Sequence, residues 1–250
     1  MLLLNPTQLR QLRPRFLPDR PGPLVGLHVL QTGYGACFVD RWPNPQTILV
    51  EAGGNYALTG RADGFTSADL ARQVQGFVEA PADFLPLLQT TFPDLQVWDR
   101  VILALESEPK YEVPAGATLK RLQEEDAYHL WGLSPASRWI SKTWGGPEGV
   151  AAGGRAWGAF VDGRLVSLAV PFFVGEQYED LGVVTEPGFG GRGLSTACAG
   201  ALVGDILRRG RSASWTTAAD NPASRRVAEK LGFHFVRHDY LYVVGITTPQ

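Results

Sequence analysis

Cysteine, histidine and long apolar runs are all scarce in this chain, and each shortage narrows what the protein can be. Only two cysteines occur, Cys37 and Cys198, far apart and outside any C-x-x-C pair. Neither a disulfide framework nor a thiolate zinc site is indicated. The four histidines, His28, His129, His234 and His238, form no H-x-x-x-H ligand pair, so no protein-held metal is expected. No stretch approaches the ~18 apolar residues of a spanning helix. The opening MLLLNPTQLRQLRPRF is too short an apolar run for a secretory signal, because Pro6 and the arginines follow at once. The expectation is a cytoplasmic protein with no membrane partner. Charge is sparse too: 19% of the 250 residues are charged and the net charge is −2, without the basic excess a nucleic-acid partner would need.

What the chain does have is 44% hydrophobic residues, enough for a packed core, and 29 glycines that punctuate it. Residues 1–112 carry strand-like runs at 35–40, 47–53 and 95–106 and helical stretches at 67–74 and 82–92. They are expected to form a smaller mixed α/β domain. ESEPKYEVPAG (106–116) is a linker by composition, with two prolines and alternating charge. Residues 113–250 form the second expected domain, an α/β fold on a mixed sheet. It begins with a strand at 117–122 and helices at 124–133 and 136–144. Asp162-Gly163 then divides two alternating runs (155–173) as a hairpin turn, which needs positive φ. A strand at 178–185 precedes the clearest helix, LSTACAGALVGDILRRG. Leu194, Ala197, Cys198, Ala201, Leu202 and Ile206 make one apolar face of it, on which Cys198 is a packing residue. Arg208, Arg209 and Gly210 suit its C-terminal end. SASWTTA (212–218) is a strand, Asn221-Pro222 opens another helix, and 233–244 is one or two strands.

Between the strand at 178–185 and that helix stands PGFGGRGLSTACAG (187–200), in which Gly188 to Gly193 fit G-x-G-x-x-G. A strand that ends, turns through glycines and starts a helix offers free N–H groups and a positive dipole to an anion. A dinucleotide site would also need an acidic residue ~20 positions on, at the end of the next strand. SASWTTA carries none. A nucleotide-triphosphatase loop would need a Lys-Ser/Thr pair after the glycines, also missing.

Residues 117–244 resemble the GCN5-related N-acetyltransferase (GNAT) superfamily. The order β-α-α-β-β-β-α-β-α-β-β is similar to that family's. Its signature, Gln/Arg-x-x-Gly-x-Gly/Ala, falls on Gly190-Gly191-Arg192-Gly193-Leu194-Ser195. A second anchor, an Asn-x-x-Ser/Ala helix ending in Leu-Gly-Phe, falls on Asn221 to Phe233. SWTTAADNPASRRVAEKLGF also resembles a bacterial branch that includes zwittermicin-type self-resistance acetyltransferases. Gly190 and Ser195 depart from the signature, but both are small and leave the backbone cradle possible. The resemblance implies acetyl-CoA as co-substrate, with its pantetheine arm against the backbone of Val183, Val184 and Thr185. Its pyrophosphate would sit on the amides of Gly191, Arg192, Gly193, Leu194, Ser195 and Thr196, with Asn221 and Ser224 touching the arm.

The same resemblance makes Glu179 the candidate base, with Glu176 as a weaker alternative. Glu179 and Asp180 are adjacent on a strand and point to opposite faces, so at most one reaches the site. Ala228 stands where many members keep a tyrosine as general acid, which leaves Tyr240, Tyr242 or water to donate. Trp131, Trp139 and Trp144 border the acceptor side in the family and serve as pocket lining or as core. The implied function is transfer of an acetyl group to a small amine in a ternary complex, by a monomer or homodimer. The alternative, favoured by Ala228, is an acyl-CoA-binding protein without chemistry. Residues 1–112 contain no motif that chooses between restricting the acceptor site, dimerising, and being a decayed copy of the same fold.

Overall fold

Polar caps and glycine turns divide the chain into alternating strands and helices. The computed structural model describes residues 1–248. It begins with β1 (Leu2–Leu3), α1 (Pro6–Gln11), α2 (Val25–Thr32), β2 (Ala36–Val39), β3 (Thr47–Ala52), β4 (Asn55–Gly60), α3 (Ser67–Gln73), β5 (Gly76–Glu79), α4 (Leu85–Thr91) and β6 (Gln96–Leu105). The irregular segment expected as a linker follows, with Tyr111 packed on Gly200. Then come β7 (Thr118–Arg121), α5 (Ala127–Trp131), α6 (Pro147–Ala152), β8 (Trp157–Val161), β9 (Arg164–Val174), β10 (Tyr178–Thr185), α7 (Leu194–Arg208), β11 (Ser212–Ala218), α8 (Pro222–Leu231) and β12 (His234–Val244). The stretch 136–144, expected as a helix, is a 3-10 helix over Arg138–Trp144. The hairpin turn is as expected, with Asp162 at φ 50° and Gly163 at φ 76°.

The two runs of elements repeat one another: each is β-α-α-β-β-β-α-β-α-β. They share a 12-stranded mixed sheet in the order β1-β2-β3-β4-β5-β12-β6-β11-β10-β9-β8-β7. Adding six to each strand of the first half gives the second half in reverse, with β6 and β12 exchanged. Each half therefore lends its last strand to the other. β6 pairs antiparallel with β11 from Ala213↔Leu105 to Ala218↔Arg100 and with β12 on its other side. β12 in turn pairs with β5 at Tyr242↔Val78. Because a strand's backbone groups need partners, cutting the chain within 106–116 is expected to leave two fragments that stay together. Co-elution from a gel-filtration column after cleavage at an inserted protease site checks this.

The helices cover both faces. α7 and α8 bury Leu202, Ile206 and Ala228 against Leu103, Leu105, Leu181 and Trp215. On the other face α2 packs against β3 of its own half and also against β9 of the second. His28 fastens it there: Nε2 donates to the Thr143 carbonyl at 2.8 Å and Nδ1 accepts from the Val174 N–H at 3.2 Å. Burial pushes its pKa down to about 4, opposed by the bond to Thr143, so the ring is a neutral packing element.

Candidate active site

β10 and β11 run parallel and paired from Tyr178↔Ser212 to Leu181↔Trp215. Beyond that point they part company. β10 stays with β9 as far as Thr185↔Ser167, and β11 stays with β6 as far as Ala218↔Arg100. The inner edges of Gly182–Thr185 and Thr216–Ala218 thus face each other without a ladder. Val183, Val184 and Thr185 lie along this opening.

The chain then passes through the glycine loop. Gly188, Gly191 and Gly193 adopt φ of +85°, +75° and +78°, a region L-residues rarely occupy. A Cβ at Gly188, Gly190 or Gly191 would meet nothing within 4 Å, so the loop borders open space. α7 starts at Gly193 with no side-chain cap, leaving its first N–H groups to an outside acceptor. The corresponding helix of the first half is different. Thr66 and Asp69 close a capping box on α3 and satisfy its first turn from within. Arg192 lies 5.4 Å from the centre of the Phe189 ring, beside the loop. Glu186 anchors the entry to the loop: its carboxylate accepts from the N–H and hydroxyl of Ser134, both at 3.0 Å. Burial alone would raise its pKa, but the hydroxyl of Ser137, the two bonds from Ser134 and the charge of Arg164 hold it below the usual range.

The side chains singled out from sequence fall in different places. Asn221 caps α8, its side chain accepting from the Ser224 N–H at 3.0 Å. The Ser224 hydroxyl accepts from Trp215 Nε1 at 2.9 Å, which ties the start of α8 to the residue where the strands separate. Glu179 is fully buried, before the opening. Arg209 (2.8 Å), Arg211 (2.9 Å) and Arg155 (3.6 Å) occupy its carboxylate. Glu176 is held by Arg13 through two bonds of 2.6 Å, and that partner keeps its pKa below the ordinary value. Ala228 is wholly buried in the α7–α8 core. Tyr242 is buried and pushed up to about 12, first by burial and then by Tyr240. Tyr240 lines a cavity of the first half. Trp144 is buried with Nε1 donating to the Pro171 carbonyl, and exposed Trp131 donates to Glu148. Trp139 is 40% exposed and packs edge-on against Phe172, which borders Gly182 at the opening. Cys198 is buried among apolar residues, and burial pushes its thiol up to about 12.

The sequence model of the GNAT acetyltransferase family matches residues 24–242. The chain belongs to that family. An uncharacterised N-acetyltransferase from the mutA 5′ region of Streptomyces virginiae is 38% identical over 213 residues, covering 84% of this chain and 90% of that protein. A GCN5-related N-acetyltransferase-like protein from Streptococcus suis superposes with a TM-score of 0.71 at 19% identity, over 95% of this chain and 98% of that one. A tandem GNAT protein from the clavulanic acid biosynthesis pathway superposes with a TM-score of 0.56 at 15% identity, over 98% and 96%. This is a GNAT-type N-acetyltransferase, and the family match starts at residue 24, well upstream of residues 117–244, which carry the motif resemblance.

The other member of the adjacent carboxylate pair on β10 is buried as well. Asp180, next to Glu179, faces the opposite side of the sheet. Its Oδ1 accepts from Ser214 Oγ at 2.7 Å and Thr216 Oγ1 at 3.0 Å, and Ser214 Oγ accepts from the Gly22 N–H of the first half. Burial raises its pKa to about 6, against the pull of the two hydroxyls and of Arg100. Thr216 is only half-buried and is the first β11 residue past the separation point, so its hydroxyl connects Asp180 to the opening. The strand's alternation was the available signal, but it does not tell which face is free.

Proposed function

We propose that this N-acetyltransferase moves an acetyl group from acetyl-CoA directly to a small amine in a ternary complex. The observation carrying the proposal is the separation of β10 from β11 beyond Leu181 and Trp215, aimed at the uncapped start of α7. The β10 edge along Val183, Val184 and Thr185 that faces β11 without a ladder suits an amide-bearing pantetheine arm. The N–H groups from Gly191 to Thr196, with Arg192 and room over Gly190, suit a diphosphate. When bound, acetyl-CoA supplies a thioester, an acyl group already activated toward nitrogen.

The protein's share of the chemistry is proton handling and orientation. An ordinary alkylammonium, with pKa ~10.4, is neutral in roughly one molecule per thousand at pH 7. We assign the base to Asp180 instead of Glu179, whose carboxylate is committed to three arginines. Ionised Asp180 takes one ammonium proton through the Thr216 hydroxyl. The freed lone pair forms the C–N bond as the C–S bond breaks, and the nitrogen's second proton passes to the departing thiolate through water. With Ala228 in the core and Tyr240 on the first half's cavity, no tyrosine is assigned as acid.

Calorimetric titration of acetyl-CoA tests the cofactor site. Gly190 has no positive φ and faces open space, so Gly190→Glu adds a negative charge without strain. The variant is expected to melt like the wild type and to bind acetyl-CoA at least ~10-fold more weakly, the effect of about 1.4 kcal/mol. Equal binding by both proteins, or none by the wild type, would refute the placement.

A further inference from the structure

Arg100 on β6 is a half-buried cation with no ion-pair partner among the described residues. Its Nε is sealed from solvent and finds no acceptor among the described residues, which is exceptional because an arginine donor removed from water normally has one. The guanidinium lies over the Trp98 ring, 4.1 Å from its centre, so its plane is fixed. Burial lowers its pKa to about 10, while the charges of Asp180 and Asp239 act to raise it; it remains charged at neutral pH.

Its position follows from the register. Ser214, Thr216 and Ala218 of β11 lie opposite Ala104, Ile102 and Arg100 of β6, and Asp180 of β10 lies opposite Ser214. Opposed residues share a face of the sheet, so Asp180, Thr216 and Arg100 all point to the side away from α7. Arg100 is one strand over from Thr216 and two residues nearer the open end, ~8 Å away by strand spacing and rise. Asp180 through Thr216 meets the nitrogen, and Arg100 offers a fork of donors within a few bonds of it.

From this arrangement we infer that the acceptor is an amine carrying a carboxylate, an amino acid in the broad sense, and that Arg100 binds that carboxylate. The inference rests on the acetyl-transfer reading above and adds the acceptor class to it. A planar guanidinium matches a carboxylate through two parallel bonds. A zwitterion completes both ends of the site, its ammonium toward Asp180 and its carboxylate on Arg100. Because β6 comes from the first half, that half supplies a specificity determinant to a reaction carried out in the second.

The test uses the full-length protein with acetyl-CoA and three matched acceptor panels: α- and ω-amino acids, their carboxamides, and the decarboxylated amines. Release of the coenzyme A thiol reports turnover. The wild type is expected to favour carboxylate-bearing acceptors. Arg100→Gln should raise their KM by ~30-fold, the scale of a lost charge-assisted pair, with kcat changed by less than about threefold. Arg100→Lys should recover part of the loss, a rescue that a packing role would not give. Calorimetry with acetyl-CoA and the melting temperature should match the wild type in both variants. Preference for carboxamides or simple amines, an unchanged KM in Arg100→Gln, or turnover of no panel member despite acetyl-CoA binding would each overturn the inference. Failure of the wild type to bind acetyl-CoA would instead remove the underlying transferase site.

Discussion

Asp180→Asn is expected to lower kcat/KM by ~10²–10³-fold, the usual contribution of a general base. Asparagine keeps an oxygen that can accept from Ser214 and Thr216, so the hydrogen-bonded patch survives while the proton acceptor is lost. The pH profile separates this from a packing defect. In the wild type, kcat/KM should fall as pH drops through about 6, where Asp180 becomes protonated. The variant should lack that limb. Stability moves in the other direction. A carboxyl whose pKa is raised by folding binds its proton more tightly in the folded chain, so its contribution to stability is lost as pH rises from 3.8 through about 6. Asparagine removes that dependence, and at pH 7 the variant should unfold at no lower urea concentration than the wild type. A variant with near-normal kcat/KM at pH 7 would end the assignment of Asp180 as base.

Glu179→Ala is expected to act on stability. It would leave Arg155, Arg209 and Arg211 gathered around an empty site, where a fully buried carboxylate now neutralises them. Removing one partner of a buried ion pair costs about 3 kcal/mol or more, because the remaining charge is uncompensated. Urea unfolding at neutral pH measures the loss, and kcat at a temperature where the variant is folded measures the chemistry. A stable Glu179→Ala protein with kcat reduced a hundredfold would return the base role to Glu179. The two substitutions at adjacent positions therefore give opposite patterns, one catalytic and one structural, if the faces of β10 are assigned correctly.

The second half was largely legible because its signals are local. Asn221-Pro222, Asp162-Gly163 and the apolar face of α7 declare themselves over a few residues, and β10 and β11 occupy the ranges expected. The first half hid half of its elements. α2 is VGLHVLQT, buried on nearly every side, so no polar face marks its period. β5 is four residues long and β4 ends in Thr-Gly beside a loop, too little for an alternating pattern to stand out. α1 and α6 are short helices of six residues each, also passed over. The exchange of β6 and β12 was beyond the sequence altogether, since strand order depends on contacts more than a hundred residues apart. Asp180 shows the same limit in the site. Alternation separated it from Glu179, but only the packing of α7 against one face, and the arginines gathered there, showed which of the two faces the opening.

The exchanged strands also bear on how the protein is made. A ribosome completes β6 before any residue of β11 or β12 exists, so the emerging first half carries VILALE with both edges bare. Such a segment invites pairing with other nascent chains until its own partners arrive. The half-finished polypeptide is thus the vulnerable species. Pausing translation once β6 has emerged from the ribosome but before β11 is made should increase aggregation, and keeping both halves on one polypeptide guarantees that the missing strands are delivered in equal number.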